Sequence, residues 1–168
     1  MEDRTKRVRF EREILPHLDA AHNLARWLAG NDADAADVVQ EASVRALSFF
    51  DGYRGGDARA WLLRIVRNTF YTWLRQNRGD ETTPLDEAVH NVAAPAANPE
   101  QSILLRADRA MLRQAIADLP VEFREALVLR DIEDLSYKQI AHVAGVPIGT
   151  VMSRLARARK LLRERLSS

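Results

Sequence analysis

No stretch of this 168-residue chain alternates apolar and polar residues with a period of two, so strands are not expected. Apolar residues recur every three or four positions instead. Val38, Val39, Ala42, Ala46 and Phe49 fall on one side of a helix drawn through "DADAADVVQEASVRALSFF". Leu62, Ile65, Val66, Thr69 and Trp73 do the same in "ARAWLLRIVRNTFYTWLRQ". Further on, "LLRADRAMLRQAIADLPVEFREALVLRD" reads as two helices separated near Pro120. The pattern predicts an all-α protein of two small helical domains, over 10–78 and 101–168. The stretch "GDETTPLDEAVHNVAAPAANP" carries four carboxylates, three prolines and no lysine or arginine. It predicts a flexible acidic linker over 79–100.

The densest local signals lie in "DLSYKQIAHVAGVPIGTV". Ser136 followed by Gln139 fits a capping box, with Leu135 and Ile140 as the apolar staple, so a helix should begin at Tyr137. Gly145 ends it, because glycine accepts the left-handed conformation that closes a helix. Pro147 suits the first turn of the next. Ala141, Gly145 and Val151 have the spacing of a helix-turn-helix unit: a small residue at the crossing, a glycine in the turn and a β-branched anchor. Along the second helix, Val151, Leu155, Ala158 and Leu162 form the buried stripe. Thr150, Ser153, Arg154, Arg157 and Lys160 lie opposite. Arginine forks suit phosphates and guanine edges, and hydroxyls donate to phosphate, so this face has the chemistry of a major-groove reader.

The first domain offers a different surface. The helix through "DVVQEASVRAL" exposes Asp37, Gln40, Glu41 and Arg45 beside its apolar stripe, which is either a solvated face or a docking face. In the following helix Arg64, Asn68, Tyr71 and Arg75 make one continuous stripe, with Trp61, Phe70 and Trp73 close by. Arginine interleaved with aromatic rings suits single-stranded nucleic acid, whose bases stack while its backbone is held. The loop "DGYRGGDARA" before it, with Tyr53 and Arg54, is either a connector or one wall of a pocket for an extruded base.

Composition narrows the classes. Hydrophobic residues make up 46% and charged residues 29%, as in a globular chain. There is no cysteine, so disulfides and thiolate chemistry are excluded, and a reducing cytoplasmic setting is expected. The N-terminus lacks a signal-peptide core, and no run approaches the ~20 apolar residues of a membrane span, so no direct membrane insertion is expected. There is no P-loop and no Gly-x-Gly-x-x-Gly. His17 and His22 do not share a helical face, and His90 and His142 are isolated. The expectation is a protein that binds rather than catalyses, with no catalytic residue, cofactor or metal.

"DADAADVVQEASVRAL", "YRGGDARAWLLRIVRNTF" and "LPVEFREALVLRDIEDLSYKQIAHVAGVPIGTVMSRLARARKLL" together resemble, in order, the blocks of bacterial RNA polymerase sigma factors of the extracytoplasmic-function (ECF) group of the sigma-70 family. The resemblance implies a sigma-2-like domain, a linker and a sigma-4-like helix-turn-helix domain. It implies that Asp37, Gln40, Glu41 and Arg45 dock on the β′ clamp helices of core RNA polymerase, with further contacts to the β subunit. Tyr53, Arg54, Trp61, Arg64 and Asn68 would recognise and open the −10 element. Thr150, Ser153, Arg154 and Arg157 would read the −35 element. Function would be promoter-specific initiation in a stress or envelope response, restrained by an anti-sigma factor. The balanced net charge of +1 suits a chain that engages promoter DNA only with polymerase. Met152 stands where many members carry arginine, so their promoter motif is not carried over. The alternative is a stand-alone helix-turn-helix regulator, which would leave the Arg64–Arg75 stripe and the "DVVQE" face without a use.

Overall fold

The computed structural model describes residues 2–77 and 99–167, and every described regular element is helical. The first unit comprises α1 (Glu2–Glu13), a 3-10 turn at Leu15–His17, α2 (Leu18–Ala29), α3 (Asp32–Phe49), a second 3-10 turn at Phe50–Gly52, and α4 (Ala58–Asn77). The second comprises α5 (Pro99–Ala117), α6 (Val121–Leu127) running into a π-helical turn at Val128–Ile132, α7 (Tyr137–Ala144) and α8 (Ile148–Ser167). The expected linker lies outside the described residues as far as residue 98.

Local chemistry explains the breaks. Gly30 closes α2 with φ 92°, and Asn31 then caps α3 by accepting from the Asp34 backbone N–H at 2.8 Å. Asp57 caps α4 in the same way, its Oδ1 accepting from the Ala60 N–H at 2.9 Å. That hydrogen bond, with help from Gln139, holds the Asp57 carboxyl below the usual carboxylate range despite partial burial. Helix α3 buries Ala35, Val38, Val39, Ala42 and Ala46, and α4 buries Leu62, Leu63, Val66, Thr69 and Phe70.

Two details depart from the sequence pattern. Phe49, expected on the buried stripe, is exposed, and Phe50 is buried in its place. The reason is that α3 ends at Phe49 and the 3-10 turn redirects the chain. Residues 2–13, left outside the predicted domain up to residue 10, form α1. It is tied down by Phe10, edge-on to Phe50 at 5.4 Å, and by Lys6 paired with Asp51 at 3.1 Å.

The two units are not separate bodies. Buried apolar residues form one continuous cluster from Phe10 to Ala158, with α2 packed on α6 and α4 packed on α7. Buried Arg124 of α6 reaches across it. Its Nη1 donates to the carbonyls of Ala117 and Leu119 at 3.0 Å each, and its Nη2 to that of Leu28 at 3.2 Å.

Candidate nucleic-acid interface

Helix α7 starts at Tyr137 behind a complete capping box. The Ser136 hydroxyl accepts from the Gln139 N–H at 3.1 Å, and the Gln139 side chain accepts from the Ser136 N–H at 2.8 Å. Leu135 and Ile140 are both buried, and Gly145 ends the helix at φ 68°. Pro147 lies directly before α8, its carbonyl accepting from the N–H groups of Thr150 and Val151. Val151, Leu155 and Ala158 are buried and Leu162 is half-buried, which orients the rest of α8. Ser153, Arg157 and Lys160 are exposed; Thr150 is half-exposed. Arg154 sits on the flank, only 19% exposed, with Nη2 3.9 Å from Glu122. Arg157 lies over the Phe123 ring at 5.9 Å. Met152 is 50% exposed, beside the cationic residues.

On α3, Asp37, Gln40 and Glu41 point outward, and Arg45 is half-buried and paired with Glu41 at 3.2 Å. The same exposed side carries Val44 at 59% and Leu47 at 41%. The sequence reading did not single out these two, although Val44 follows Gln40 and Glu41 at helical spacing. Acidic groups, an amide and exposed aliphatic side chains on one face are the chemistry of a docking surface rather than a phosphate-binding one.

The residues assigned to a −10 element divide. Arg54 is exposed between Tyr53 and the left-handed pair Gly55 and Gly56. Tyr53 is not: its ring stacks on Phe50 at 5.5 Å and leans on Trp61 at 5.0 Å, closing an aromatic core under the loop. Trp61 is half-buried in the same nest. Arg64 and Asn68 are exposed on α4, and Arg75 with them.

The Arg64–Tyr71 side of α4 faces the second unit. Arg64 Nη1 donates to the His142 carbonyl at 3.0 Å. The Gln139 amide donates to the Asp57 carboxylate. Glu125 of α6, 1% exposed, also meets α4: its carboxylate accepts from Arg67 Nε at 3.1 Å and from the Tyr71 hydroxyl at 2.6 Å. Burial pushes the Glu125 carboxyl up, against the opposing pull of Arg67 and Tyr71. Burial, reinforced by the Glu125 charge, also pushes the Tyr71 phenol up, so it remains a donor. Arg67 and Glu125 were not among the sequence candidates.

Among the described residues there is no group of three or more histidines, aspartates and glutamates placed to hold a metal ion, and no helix long and apolar enough to cross a membrane.

Comparison with known proteins gives matches along the same division. The family described as Sigma-70 region 2 matches residues 14–79, and Sigma-70, region 4, matches residues 109–162. The ECF RNA polymerase sigma factor SigE of Mycolicibacterium smegmatis is 39% identical over 154 residues, covering 92% of this chain and 60% of that protein. The ECF RNA polymerase sigma-E factor of Escherichia coli K12 is 37% identical over 137 residues, covering 77% of this chain and 72% of that one. Among solved structures, the sigma factor RpoE of Bartonella quintana, in complex with the anti-sigma factor NepR, superposes with a TM-score of 0.76 at 29% identity. The superposition covers 94% of this chain and 96% of RpoE, and so spans both helical units. CnrH, in complex with the cytosolic domain of CnrY, superposes with a TM-score of 0.65 at 26% identity over 94% of this chain and 87% of that one.

Proposed function

The chain belongs to the sigma-70 family, in its extracytoplasmic-function group, and from that premise we propose that it binds core RNA polymerase and directs it to promoters with defined −10 and −35 elements. The observation that carries the reading is the pairing of two unlike exposed faces on one scaffold. Helix α8 offers Ser153, Arg157 and Lys160 opposite its buried stripe, while α3 offers Asp37, Gln40, Glu41, Val44 and Leu47. The first is built for DNA and the second for protein.

In this reading α8 lies in the major groove at the −35 element. Arg157 and Ser153 face the DNA, and Arg154 is aimed along the flank by Glu122. Phosphate contacts set register and make binding salt-dependent; base contacts select sequence. Arg54, Arg64 and Asn68 engage the −10 element, with Arg75 extending the cationic track. Tyr53 and Trp61 serve by holding the Arg54 loop from beneath, since both belong to the aromatic nest. Asp37, Gln40, Glu41 and Arg45 dock on the polymerase clamp. No chemical step is assigned to any residue: the protein acts by binding in the cytoplasm, and an anti-sigma factor restrains it.

The test is run-off transcription on genomic fragments with purified core polymerase. Arg157→Ala should lower promoter-dependent transcripts by at least tenfold while leaving core binding intact. Gln40→Ala with Glu41→Ala should weaken core binding first. Specific operator binding by the free protein, with no initiation and no association with core, would favour the stand-alone regulator and overturn the proposal.

A further inference from the structure

Outside its buried stripe, the first three turns of α8 have two sides of unlike chemistry. Thr150, Ser153, Arg154 and Arg157 make one side, all of them hydrogen-bonding groups. Ile148, Met152 and Ala156, spaced four residues apart, line up on the other, and none of them carries a polar group. Ile148 is 42% exposed, Met152 is 50% exposed, and Ala156 is exposed as well. Gly149 lies between the two sides, and a Cβ there would meet nothing within 4 Å, so the strip stands open. We propose that Met152, flanked by Ile148 and Ala156, is a thymine reader: its thioether end packs against the C5 methyl of one T·A pair in the −35 element. This rests on the promoter-reading function proposed above.

Single exposed aliphatic residues are ordinary on a protein surface, but three in one line are not scattered. They are not the packing surface of α8, because Val151, Leu155 and Ala158 already supply it. Past Ala156 the same side turns cationic: Arg163 is exposed, and Arg159 pairs with Asp131 at 3.1 Å. The apolar strip is therefore confined to the N-terminal half of the helix, the part of a recognition helix that meets base edges. Exposed Arg157 and Lys160 border it as well. A narrow apolar line framed by cations complements a polyanion with methyl groups in its groove better than it complements an apolar protein face.

The chemistry of methionine selects the base. In the major groove thymine alone presents a methyl group, while guanine, adenine and cytosine present donors and acceptors. A thioether has no donor and is a weak acceptor, so against a polar edge it strips water and returns no hydrogen bond. Discrimination therefore has two parts, contact with the methyl and a penalty on the polar edges. The unbranched side chain, with its polarizable sulfur, can adjust its torsions to reach the methyl from the side of the helix. One buried methyl group corresponds to about fourfold in an equilibrium constant.

Replacing thymine by uracil removes only that methyl and keeps the base pair. The probe is a promoter fragment that supports run-off, with each −35 thymine on either strand changed singly to uracil. With core polymerase and the wild-type chain, uracil at one position should lower run-off by about fourfold. Met152→Ala should lower run-off on the thymine fragment by a similar factor and leave thymine and uracil equal at that position. Met152→Leu, apolar and of like volume, should restore the distinction. Because the side chain is half-exposed, circular dichroism and core binding should be unchanged in both variants. No charge is lost, so the salt dependence of initiation should also stay the same. A −35 element without thymine, a wild type indifferent to uracil at every −35 thymine, or a Met152→Ala variant that keeps the uracil penalty would each overturn the proposal. So would a loss of core binding by Met152→Ala, which would set the strip against polymerase protein instead of DNA. Failure of the sigma reading is separate: it appears as no run-off from any fragment with the wild-type chain.

Discussion

Arg124 offers the sharpest test of how the two units are joined. It is a buried guanidinium with no carboxylate in hydrogen-bond contact among the described residues, and its Nε makes no hydrogen bond. Three carbonyls stand in for the missing anion. Those of Ala117 and Leu119 lie at the C-terminal end of α5, and that of Leu28 lies in the last turn of α2. Helix C-termini carry unpaired carbonyls and the negative pole of the macrodipole, so two of them converge on one cation. Burial nonetheless disfavours the charge and brings the Arg124 pKa down to about 10 from 12.5. At ~1.4 kcal/mol per power of ten, the charged form is disfavoured by roughly 3 kcal/mol on burial. Removing the guanidinium strands three buried carbonyls, and an unsatisfied buried acceptor costs ~1–3 kcal/mol, which outweighs the relief of the buried charge.

Arg124→Met keeps most of the volume while removing the forks, and should destabilise the fold by about 2–4 kcal/mol. For a chain of this size that lowers the melting temperature by roughly 5–15 °C. Arg124→Lys, which retains the charge but not the three-way reach, should fall between Met and wild type. Thermal and urea unfolding followed by circular dichroism at neutral pH measure this directly. A Met variant as stable as wild type, or more so, would refute the reasoning. It would place Arg124 among buried charges that a well-packed hydrophobe replaces without loss.

Two further outcomes follow from named groups. Glu125→Gln keeps one acceptor oxygen for Arg67, presents an amide N–H to the Tyr71 hydroxyl oxygen, and cannot ionise. Because the folded pKa of Glu125 lies above 4.5, the native state binds its proton more tightly than the unfolded chain does. Wild type should therefore lose stability relative to Glu125→Gln as pH rises from about 4.5 through that raised value; parallel unfolding-versus-pH curves would contradict this. Gly145→Ala should cost about 1–2 kcal/mol and Gly145→Asn less. A Cβ at that position meets nothing within 4 Å, so only the left-handed backbone is at stake. Equal stability of Ala and Asn, measured by urea midpoint, would remove that account.

What was legible in the sequence was what short-range chemistry encodes. The Ser136–Gln139 box, the Gly145 stop and the Val151–Leu155–Ala158 stripe all act within one or two helical turns, and each stands where expected. Misreadings cluster where helical periodicity ends. Phe49 and Phe50 exchange burial at the end of α3. Of the two readings left open for the Tyr53–Arg54 loop, the Tyr53 ring packs beneath it against Phe50 and Trp61 while Arg54 stays exposed. Helix α1 went unread because, of its own residues from Asp3 to Glu13, only Phe10 is buried, so no stripe marks it. Asp57 capping α4 was readable in principle, as a helix former three residues past an aspartate. Glu125 was not. Its partners lie 58 and 54 residues upstream, and on its own helix it resembles any other surface glutamate.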